Sequence, residues 1–191
     1  MHIGLFFGSF NPIHIGHMAL ANYMVEFTDM EQVWFVISPH NPLKEKSSLL
    51  HQNQRLYMVN VAIEDDARFK SSTIEFDLPQ PSYTINTLVH LKEKYPKHSF
   101  SLIIGQDNLE NFHKWKNYEE ILKKYKLYVY PRPGAKSTEL EQHPNVVLTQ
   151  APVIEISSTF IREAIKKKKD IRHFLPEKAW QYIDEMNLYK K

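Results

Sequence analysis

Apolar residues occur along the chain in two patterns: short, nearly continuous runs, and longer stretches in which they return every three or four positions. The short runs are typical of buried strands, and the longer repeat is typical of helices that cover a core. The strands predicted in this way span residues 2–7, 33–37, 72–76, 100–104, 127–130 and 146–148. The predicted helices span residues 16–27, 54–63, 83–95, 118–125, 159–168 and 176–186.

Strands and helices alternate along most of the chain. This alternation predicts an α/β fold, a Rossmann-like doubly wound parallel sheet with helices on both faces. The last two helices form a small helical C-terminal part that begins at about residue 157. The length of 191 residues fits a single domain, 1–191.

The composition excludes several classes of function. The chain contains no cysteine, which excludes disulfides, thiolate metal sites and cysteine nucleophiles. A net charge of only +2 predicts no nucleic-acid partner. No run approaches the roughly 20 apolar residues that span a bilayer, and the N-terminus lacks the features of a signal peptide. We therefore expect a cytoplasmic protein with no membrane partner, and the composition leaves a homo-oligomer open.

Polar, glycine-punctuated segments follow three of the predicted strands, at residues 8–17, 38–44 and 105–108. The carboxyl ends of parallel strands meet at one edge of a sheet, and ligands bind in the crevice outside that edge. The sequence therefore predicts a ligand site where these three segments converge.

The strongest chemical signal is the first of these segments, which reads Gly-Ser-Phe-Asn-Pro-Ile-His-Ile-Gly-His. His14 and His17 share one face of a helical turn, and Gly16 lets a ligand approach the backbone. Free N–H groups at a helix start attract anions, so we interpret this turn as a phosphate site. The strings of a P-loop and of a dinucleotide-binding fingerprint are absent, and no third ligand follows the histidines at zinc-like spacing.

The second signal is residues 156–162, Ile-Ser-Ser-Thr-Phe-Ile-Arg. Ser157 and Ser158 precede a predicted helix, and Arg162 lies one turn further in, where it can reach back as a bidentate phosphate donor. Taken alone, the segment also fits a plain helix cap followed by a surface arginine. Beside the first motif, the phosphate interpretation is favoured.

Together the two motifs resemble the nucleotidylyltransferase superfamily with the His-x-Gly-His signature, here residues 14–17. Class I aminoacyl-tRNA synthetases carry the same string, but they would need a Lys-Met-Ser-Lys-Ser-type loop and an anticodon-binding region. Neither is present in these 191 residues.

Three further segments resemble the nicotinate-nucleotide adenylyltransferases of that superfamily. Residues 82–88 resemble their pyridine-nucleotide segment, residues 103–115 their Gly-x-Asp segment and following tryptophan, and residues 130–134 their Arg-Pro-Gly turn. The resemblance covers nearly the whole chain. The loop after the second strand departs from the commonest family pattern, Pro-Pro-His followed by Lys or Arg, because no histidine directly precedes Lys44 and His40 lies earlier.

The resemblance implies an enzyme of NAD biosynthesis that transfers AMP from ATP to nicotinate mononucleotide and releases pyrophosphate. It implies His14, His17 and Arg162 as catalytic residues, and Mg²⁺ as a cofactor carried with ATP. The implied ATP-binding residues are Gly8, Ser9, Phe10, Gly16, Gly105, Asp107, Ile156, Ser157 and Ser158. The implied acceptor-binding residues are Lys44, Tyr83, Thr84, Trp115, Lys116 and Arg132.

Individual roles follow from the same resemblance. Asp107 is implied to accept hydrogen bonds from the adenosine ribose; alternatively, it caps a helix. Trp115 is implied to stack on the pyridine ring; alternatively, it belongs to the core. Lys44 is a candidate contact for the attacking phosphate. Backbone N–H groups near Thr84 and Lys116 face the ring substituent, which favours the acid over the amide because a carboxylate only accepts hydrogen bonds.

Other functions remain as alternatives. Another adenylyltransferase of the superfamily would take phosphopantetheine, nicotinamide mononucleotide or FMN as its acceptor. A non-catalytic nucleotide-binding module on the same fold would be expected to lack one of the histidines or the arginine, and all are present. An RNA-binding module is disfavoured by the small net charge and the lack of a basic, aromatic-lined stripe.

Overall fold

The computed structural model describes residues 1–39 and 49–190. Its centre is a sheet of six strands in the order β3-β2-β1-β4-β5-β6, and all neighbouring strands are parallel. The strands are β1 (His2–Gly8), β2 (Gln32–Ile37), β3 (Phe69–Ser72), β4 (Ser99–Gly105), β5 (Leu127–Tyr130) and β6 (Val146–Leu148). The predicted α/β doubly wound fold is confirmed. The sheet grows in opposite directions from β1 and β4, and this switch point is where such sheets bind ligands.

Helices connect the strands on both faces. They are α1 (Ile15–Phe27), α2 (Gln52–Ile63), α3 (Thr84–Lys94), α4 (Gln106–Glu110), α5 (Tyr118–Lys124), α6 (Ser158–Lys166) and α7 (Glu177–Glu185). Short 3-10 helices lie at Phe112–Lys114, Glu139–Gln142 and Arg172–Phe174. In the described ranges, none of the helices is both long and apolar enough to cross a membrane.

The sheet separates two apolar cores, as the alternation of β1 requires. Phe6 faces the core formed with α1, α2, α6 and α7, whereas Ile3 and Leu5 face the core formed with α3 and α5. The C-terminal helix α7 contributes Ala179 and Ile183, both fully buried, to the first of these cores. The C-terminal part therefore packs on the same layer of helices that covers β1.

Two elements differ from the prediction. The third strand was expected at residues 72–76, but β3 spans Phe69–Ser72, where Phe69 pairs with Val33 of β2. Residues 73–76 form a turn, closed by a hydrogen bond from Phe76 N to Thr73 O. Helix α4 was not predicted, because its five residues are too few to display a helical repeat.

Candidate active site

A cleft of about 780 Å³ opens at the carboxyl ends of β1 and β4. Most of the predicted site residues line it, although they come from segments far apart in the sequence. The predicted residues that line the cleft are Gly8, Ser9, Phe10, His14, Gly16, His17, Thr84, Gly105, Asp107, Trp115, Arg132, Ile156, Ser157, Ser158 and Arg162. The convergence expected for the segments 8–17 and 105–108 is therefore observed.

The two histidines meet at the start of α1. Their rings stack with centroids 3.6 Å apart, and the backbone N–H of His14 donates to Nδ1 of His17 over 3.2 Å. Because Nδ1 of a neutral His17 is thereby an acceptor, its ring proton lies on Nε2, which is then a donor. A Cβ at Gly16 would lie 3.1 Å from the ring of His14, so this glycine also makes room for the histidine pair.

His14 is held as a neutral ring. Its side chain is 5% exposed, and burial, together with the positive charge of Arg132, lowers the pKa of His14 to about 4. A neutral imidazole still has one N–H to donate, so His14 brings a hydrogen-bond donor to the cleft without a positive charge.

The start of α6 is attached directly to the loop that follows β1. Ser157 caps the helix, since its hydroxyl accepts from Phe160 N at 3.1 Å, and the Ser158 hydroxyl donates to Pro12 O at 2.9 Å. Arg162 donates from Nη1 to Asn11 O over 2.9 Å. The Ser157 side chain therefore acts as a helix cap, as the alternative interpretation held. The backbone N–H groups of the first turn lie at the start of α6, where no preceding helical turn can accept from them.

Asn11 joins four parts of the chain at this point and was not predicted from the sequence. Its side-chain oxygen accepts from the Tyr189 hydroxyl at 2.7 Å and from Leu50 N at 3.3 Å, while its carbonyl accepts from Arg162. Asn11 is 3% exposed. The loop after β1 thus holds the C-terminal end of the chain and the beginning of α6 together.

The opposite wall of the cleft is the turn from β4 into α4. A Cβ at Gly105 would lie 2.3 Å from Oδ1 of Asp107, so glycine is required for this carboxylate to sit over the strand end. Arg132 Nε lies 3.8 Å from Asp107 Oδ1, and both side chains are exposed by about half. Arg132 lies beside Gly105 and Asp107 on this wall, and its positive charge contributes to the lowered pKa of His14.

The predicted acceptor residues divide into two groups. Thr84, at the N-terminus of α3, and the half-buried Trp115 line the cleft. Tyr83 and Lys116 lie outside the cleft lining and contact each other, with the Lys116 ammonium 4.4 Å from the centre of the Tyr83 ring. Tyr83 is 41% exposed, so this pair lies at the surface beside the acceptor residues.

Three further predictions concern Lys44, His40 and Phe10. Lys44 and His40 lie outside the described residues. Phe10 is 2% exposed, and its ring packs edge-on against Phe35 and His17 at the cleft lining. Phe10 thus supports the site from the core.

Among the residues that the structure describes, Arg55 is the largest fully buried side chain, and it was also missed. It donates to four carbonyl oxygens, those of Ser9, Ser38, Pro39 and Leu50. Burial lowers the pKa of Arg55 to about 10, so it stays a cation, and its charge is balanced by carbonyl dipoles at the ends of β1 and β2. Sequence reasoning passes over such a residue because arginine is normally exposed.

Glu75 is a buried acid at the edge of the same cleft. It is 3% exposed and accepts at 2.8 Å from the hydroxyl of Thr87, which is fully buried. Burial raises the pKa of Glu75, and hydrogen bonds from Thr87, Ser38 and Ser82 partly offset that rise. It is part of the turn that was predicted as a strand.

Metal ligands were considered over the ranges 1–39 and 49–190. There, no group of three or more His, Cys, Asp or Glu side chains could hold a metal ion.

Comparison with known proteins gives a consistent picture. The family model described as "Cytidylyltransferase-like" matches residues 5–164. The chain is 58% identical over its whole length to a protein of Flavobacterium johnsoniae named "Probable nicotinate-nucleotide adenylyltransferase", all of which is covered. A protein of Bacteroides thetaiotaomicron with the same name is 50% identical over 95% of this chain and 90% of its own length.

Solved structures agree on the fold. The nicotinic acid mononucleotide adenylyltransferase of Plasmodium falciparum, complexed with NaAD, superposes with a TM-score of 0.83 at 22% identity. The alignment covers 99% of this chain and 97% of that one. The same enzyme complexed with APC gives a TM-score of 0.80 at 21% identity, over 99% of this chain and 97% of that one. At such low identity these likenesses bear on the fold alone.

Proposed function

The chain belongs to the cytidylyltransferase-like family and, within it, to the nicotinate-nucleotide adenylyltransferases, and we propose that its cleft joins AMP from ATP to nicotinate mononucleotide. The products are nicotinate adenine dinucleotide, a precursor of NAD, and pyrophosphate. The observation that carries the proposal is the meeting of the His14–His17 turn with the N-terminus of α6, where Arg162 bonds to Asn11, 151 residues away in the sequence. Two helix N-termini and an arginine in one cleft suit a polyphosphate.

The donor half of the cleft consists of His14, His17, Ser157, Ser158 and Arg162. We infer that it holds the phosphates of ATP. Nε2–H of His17 donates to the α-phosphate, where negative charge moves during transfer, and the neutral His14 ring donates beside it. The backbone of the α6 N-terminus and the Arg162 guanidinium hold the β- and γ-phosphates that depart as pyrophosphate.

The reaction needs no nucleophilic side chain. The 5′-phosphate of the acceptor attacks the α-phosphorus in line, the bond to the β-phosphate breaks, and the electron pair leaves with pyrophosphate. Rate enhancement then comes from alignment and from donors already aimed at the developing charge. The hydrogen bonds that join α6 to the loop after β1 supply this preorganisation.

The nucleoside of ATP lies, on this proposal, against the β4–α4 turn. Asp107 sits over Gly105 with its carboxylate exposed, as an acceptor for ribose hydroxyls requires. The ion pair with Arg132 at 3.8 Å is long enough to leave Asp107 lone pairs for a sugar. Because Arg132 lines the same cleft as the two histidines, we infer that it serves the phosphates as well as the acceptor for which it was predicted.

The acceptor half of the cleft consists of Ser82, Thr84 and Trp115. Trp115 supplies a flat apolar face for the pyridine ring, and the N–H groups that begin α3 face the ring substituent. Donors at this point suit the carboxylate of nicotinate. The contribution of Lys44 stays a prediction, and Tyr83 and Lys116 flank the half from outside.

Mg²⁺ belongs to the donor substrate in this scheme. Carried with ATP, it would take its ligands from phosphate oxygens and water, and it would supply positive charge to the departing pyrophosphate. The histidine, arginine and helix N–H donors of the chain hold the same phosphates from the protein side.

An acceptor panel tests the proposal. Purified protein is incubated with ATP, Mg²⁺ and one acceptor, and the release of pyrophosphate is measured. The four acceptors compared are nicotinate mononucleotide, nicotinamide mononucleotide, phosphopantetheine and FMN. Release with nicotinate mononucleotide above all others is expected. Faster release with phosphopantetheine or FMN would assign the chain to another acceptor, and no release with any of them would favour a non-catalytic module.

Three features outside the chemistry stay predictions. We infer a single domain because α7 shares a core with β1, and limited proteolysis that yields one resistant fragment would support this inference. A cytoplasmic location would be tested by cell fractionation. A homo-oligomer would be tested by light scattering on the purified chain.

A further inference from the structure

The acceptor half has a buried charged residue behind it, and the reaction described above leaves that residue without a role. Glu75 lines the cleft beside Ser38, Ser82 and Thr84, yet it is only 3% exposed. Acids are rarely this buried unless their oxygens are bonded. Within residues 1–39 and 49–190, Glu75 makes no ion pair, and its partners are hydroxyl groups.

These hydroxyls come from two different elements. Thr87 lies in the first turn of α3 and donates to Glu75 Oε1 at 2.8 Å, while Ser82 lies just before Tyr83, the N-cap of the helix. Ser38 follows β2. Glu75 therefore connects the end of a strand to the beginning of the helix that carries Thr84.

Ser38 also links Glu75 to the carbonyl groups that surround Arg55. The carbonyl of Ser38 accepts from Arg55 Nη1 at 2.8 Å, and its N–H donates to Gly8 O at 3.0 Å. Ser38 thus has its N–H, its carbonyl and its hydroxyl engaged at once. Through Ser38, the start of α3 is held against the same strand ends that support the donor half.

Burial raises the pKa of Glu75, and the hydroxyl donors around its oxygens favour the charged carboxylate in part. Its bond to Thr87 holds the first turn of α3, and its bond to Ser82 holds the segment just before that turn. Thr84, the first residue of that turn, lines the cleft.

We propose that Glu75 is a positioning residue for the acceptor, which it serves by orienting the N-terminus of α3 through Thr87, Ser82 and Ser38. The proposal rests on the proposed function, because it assumes that the acceptor ring binds at Thr84. It assigns Glu75 no contact with the reacting phosphates. Its loss therefore affects binding of the acceptor and leaves binding of ATP unchanged.

The test compares Glu75→Gln and Thr87→Val with Ser101→Ala as a matched control. Ser101 is a buried hydroxyl bonded to His2 at 2.7 Å and outside the cleft lining, so its loss removes a similar bond elsewhere. KM for nicotinate mononucleotide, KM for ATP, kcat and the midpoint of thermal unfolding are measured for each. For Glu75→Gln we expect the acceptor KM to rise about tenfold, as loss of one charged hydrogen bond implies. The ATP KM should not change.

The outcomes separate clearly. If both KM values rise together, or if only the unfolding midpoint falls as in Ser101→Ala, Glu75 is a structural residue and the inference is wrong. Should Glu75→Gln fail to fold, Thr87→Val removes one of the same bonds and gives the same readout. A wild-type protein that ignores nicotinate mononucleotide would refute the proposed function, whereas an active wild type with both variants unaltered in acceptor KM would refute only this inference.

Discussion

The donor half and the acceptor half of the cleft differ in how firmly the chain holds them. In the donor half, Arg162 and Ser158 bond directly to the loop after β1, and His14 is 5% exposed. In the acceptor half, Trp115 is only half-buried. The contact behind this half is the hydrogen bond between Thr87 of α3 and Glu75. The donor half is held by direct hydrogen bonds from its side chains to the loop after β1, and the acceptor half by contacts behind it.

The difference matches what each half has to do. Charge that moves during phosphoryl transfer is best stabilised by donors that need no rearrangement, which favours a rigid donor half. An acceptor ring has to enter and leave in every cycle, and a flat aromatic face with a few backbone donors is sufficient to select it. We therefore expect changes in the donor half to lower kcat, and changes in the acceptor half to alter KM and selectivity for the acceptor.

The largest expected effect is that of His17→Ala. Loss of a preorganised donor at the α-phosphate should lower kcat by about 10²–10³-fold, and the loss should be the same for every acceptor. Steady-state rates and thermal unfolding are measured side by side, with His90→Ala, an exposed histidine on α3, as the control. A folded His17→Ala protein with near-normal kcat would show that this histidine only supports the fold.

The neutral state of His14 should appear in the pH dependence of stability. The pKa of His14 is about 4 in the folded protein and near 6.5 when it is unfolded, so the unfolded chain binds more protons between these values. The contribution of His14 to the free energy of unfolding is therefore complete above pH 6.5. As the pH falls toward 4, the free energy of unfolding decreases by roughly 2–3 kcal/mol through this group.

Denaturant unfolding of the wild type and His14→Gln from pH 4 to 7 measures this contribution. The wild type should lose more stability than the variant over that range. Parallel curves for the two proteins would mean that His14 titrates normally and that the interior of the donor half is not desolvated.

Selectivity for the acid tests the acceptor half alone. Nicotinate mononucleotide should exceed nicotinamide mononucleotide in kcat/KM by roughly 10- to 150-fold, since one hydrogen bond to a charged group is at stake. Trp115→Ala should weaken both acceptors and leave the KM for ATP unchanged. A ratio near one, or a preference for the amide, would remove the argument from backbone donors at Thr84.

Arg162→Lys is expected to have the smallest effect. Lysine keeps the positive charge but loses the planar pair of donors, so kcat/KM for ATP should fall about tenfold while the acceptor KM stays the same. Arg172→Lys serves as the control, because Arg172 is exposed and pairs with Asp170 at 2.7 Å. An Arg162→Lys protein that handles ATP and pyrophosphate like the wild type would rule out the bidentate role.

The donor half was the easier part to predict from the sequence. Its chemistry lies in two local strings, His14 to His17 and Ser157 to Arg162, whose spacing on a helix already implies a geometry. The parallel sheet was equally accessible, because buried strands leave continuous apolar runs. Both signals depend only on neighbours within one or two helical turns.

The buried charged residues that support the site could not be predicted in this way. Arg55 and Glu75 are charged residues that sequence patterns assign to the surface, and only long-range contacts reveal that both are buried. Glu75 also lies between Ile74 and Phe76, and this apolar pair led to a strand being predicted where the chain turns. The error in β3 and the missed burial of Glu75 therefore have the same origin.

The central claim is that the chain transfers an adenylyl group to a pyridine nucleotide, and isotope labelling tests it most directly. ATP labelled at the α-phosphate and ATP labelled at the γ-phosphate are each incubated with Mg²⁺, nicotinate mononucleotide and the purified protein, and the products are separated. The account predicts the α label in nicotinate adenine dinucleotide and the γ label in pyrophosphate. Label from the γ position in the acceptor, or no label in any dinucleotide, would contradict it.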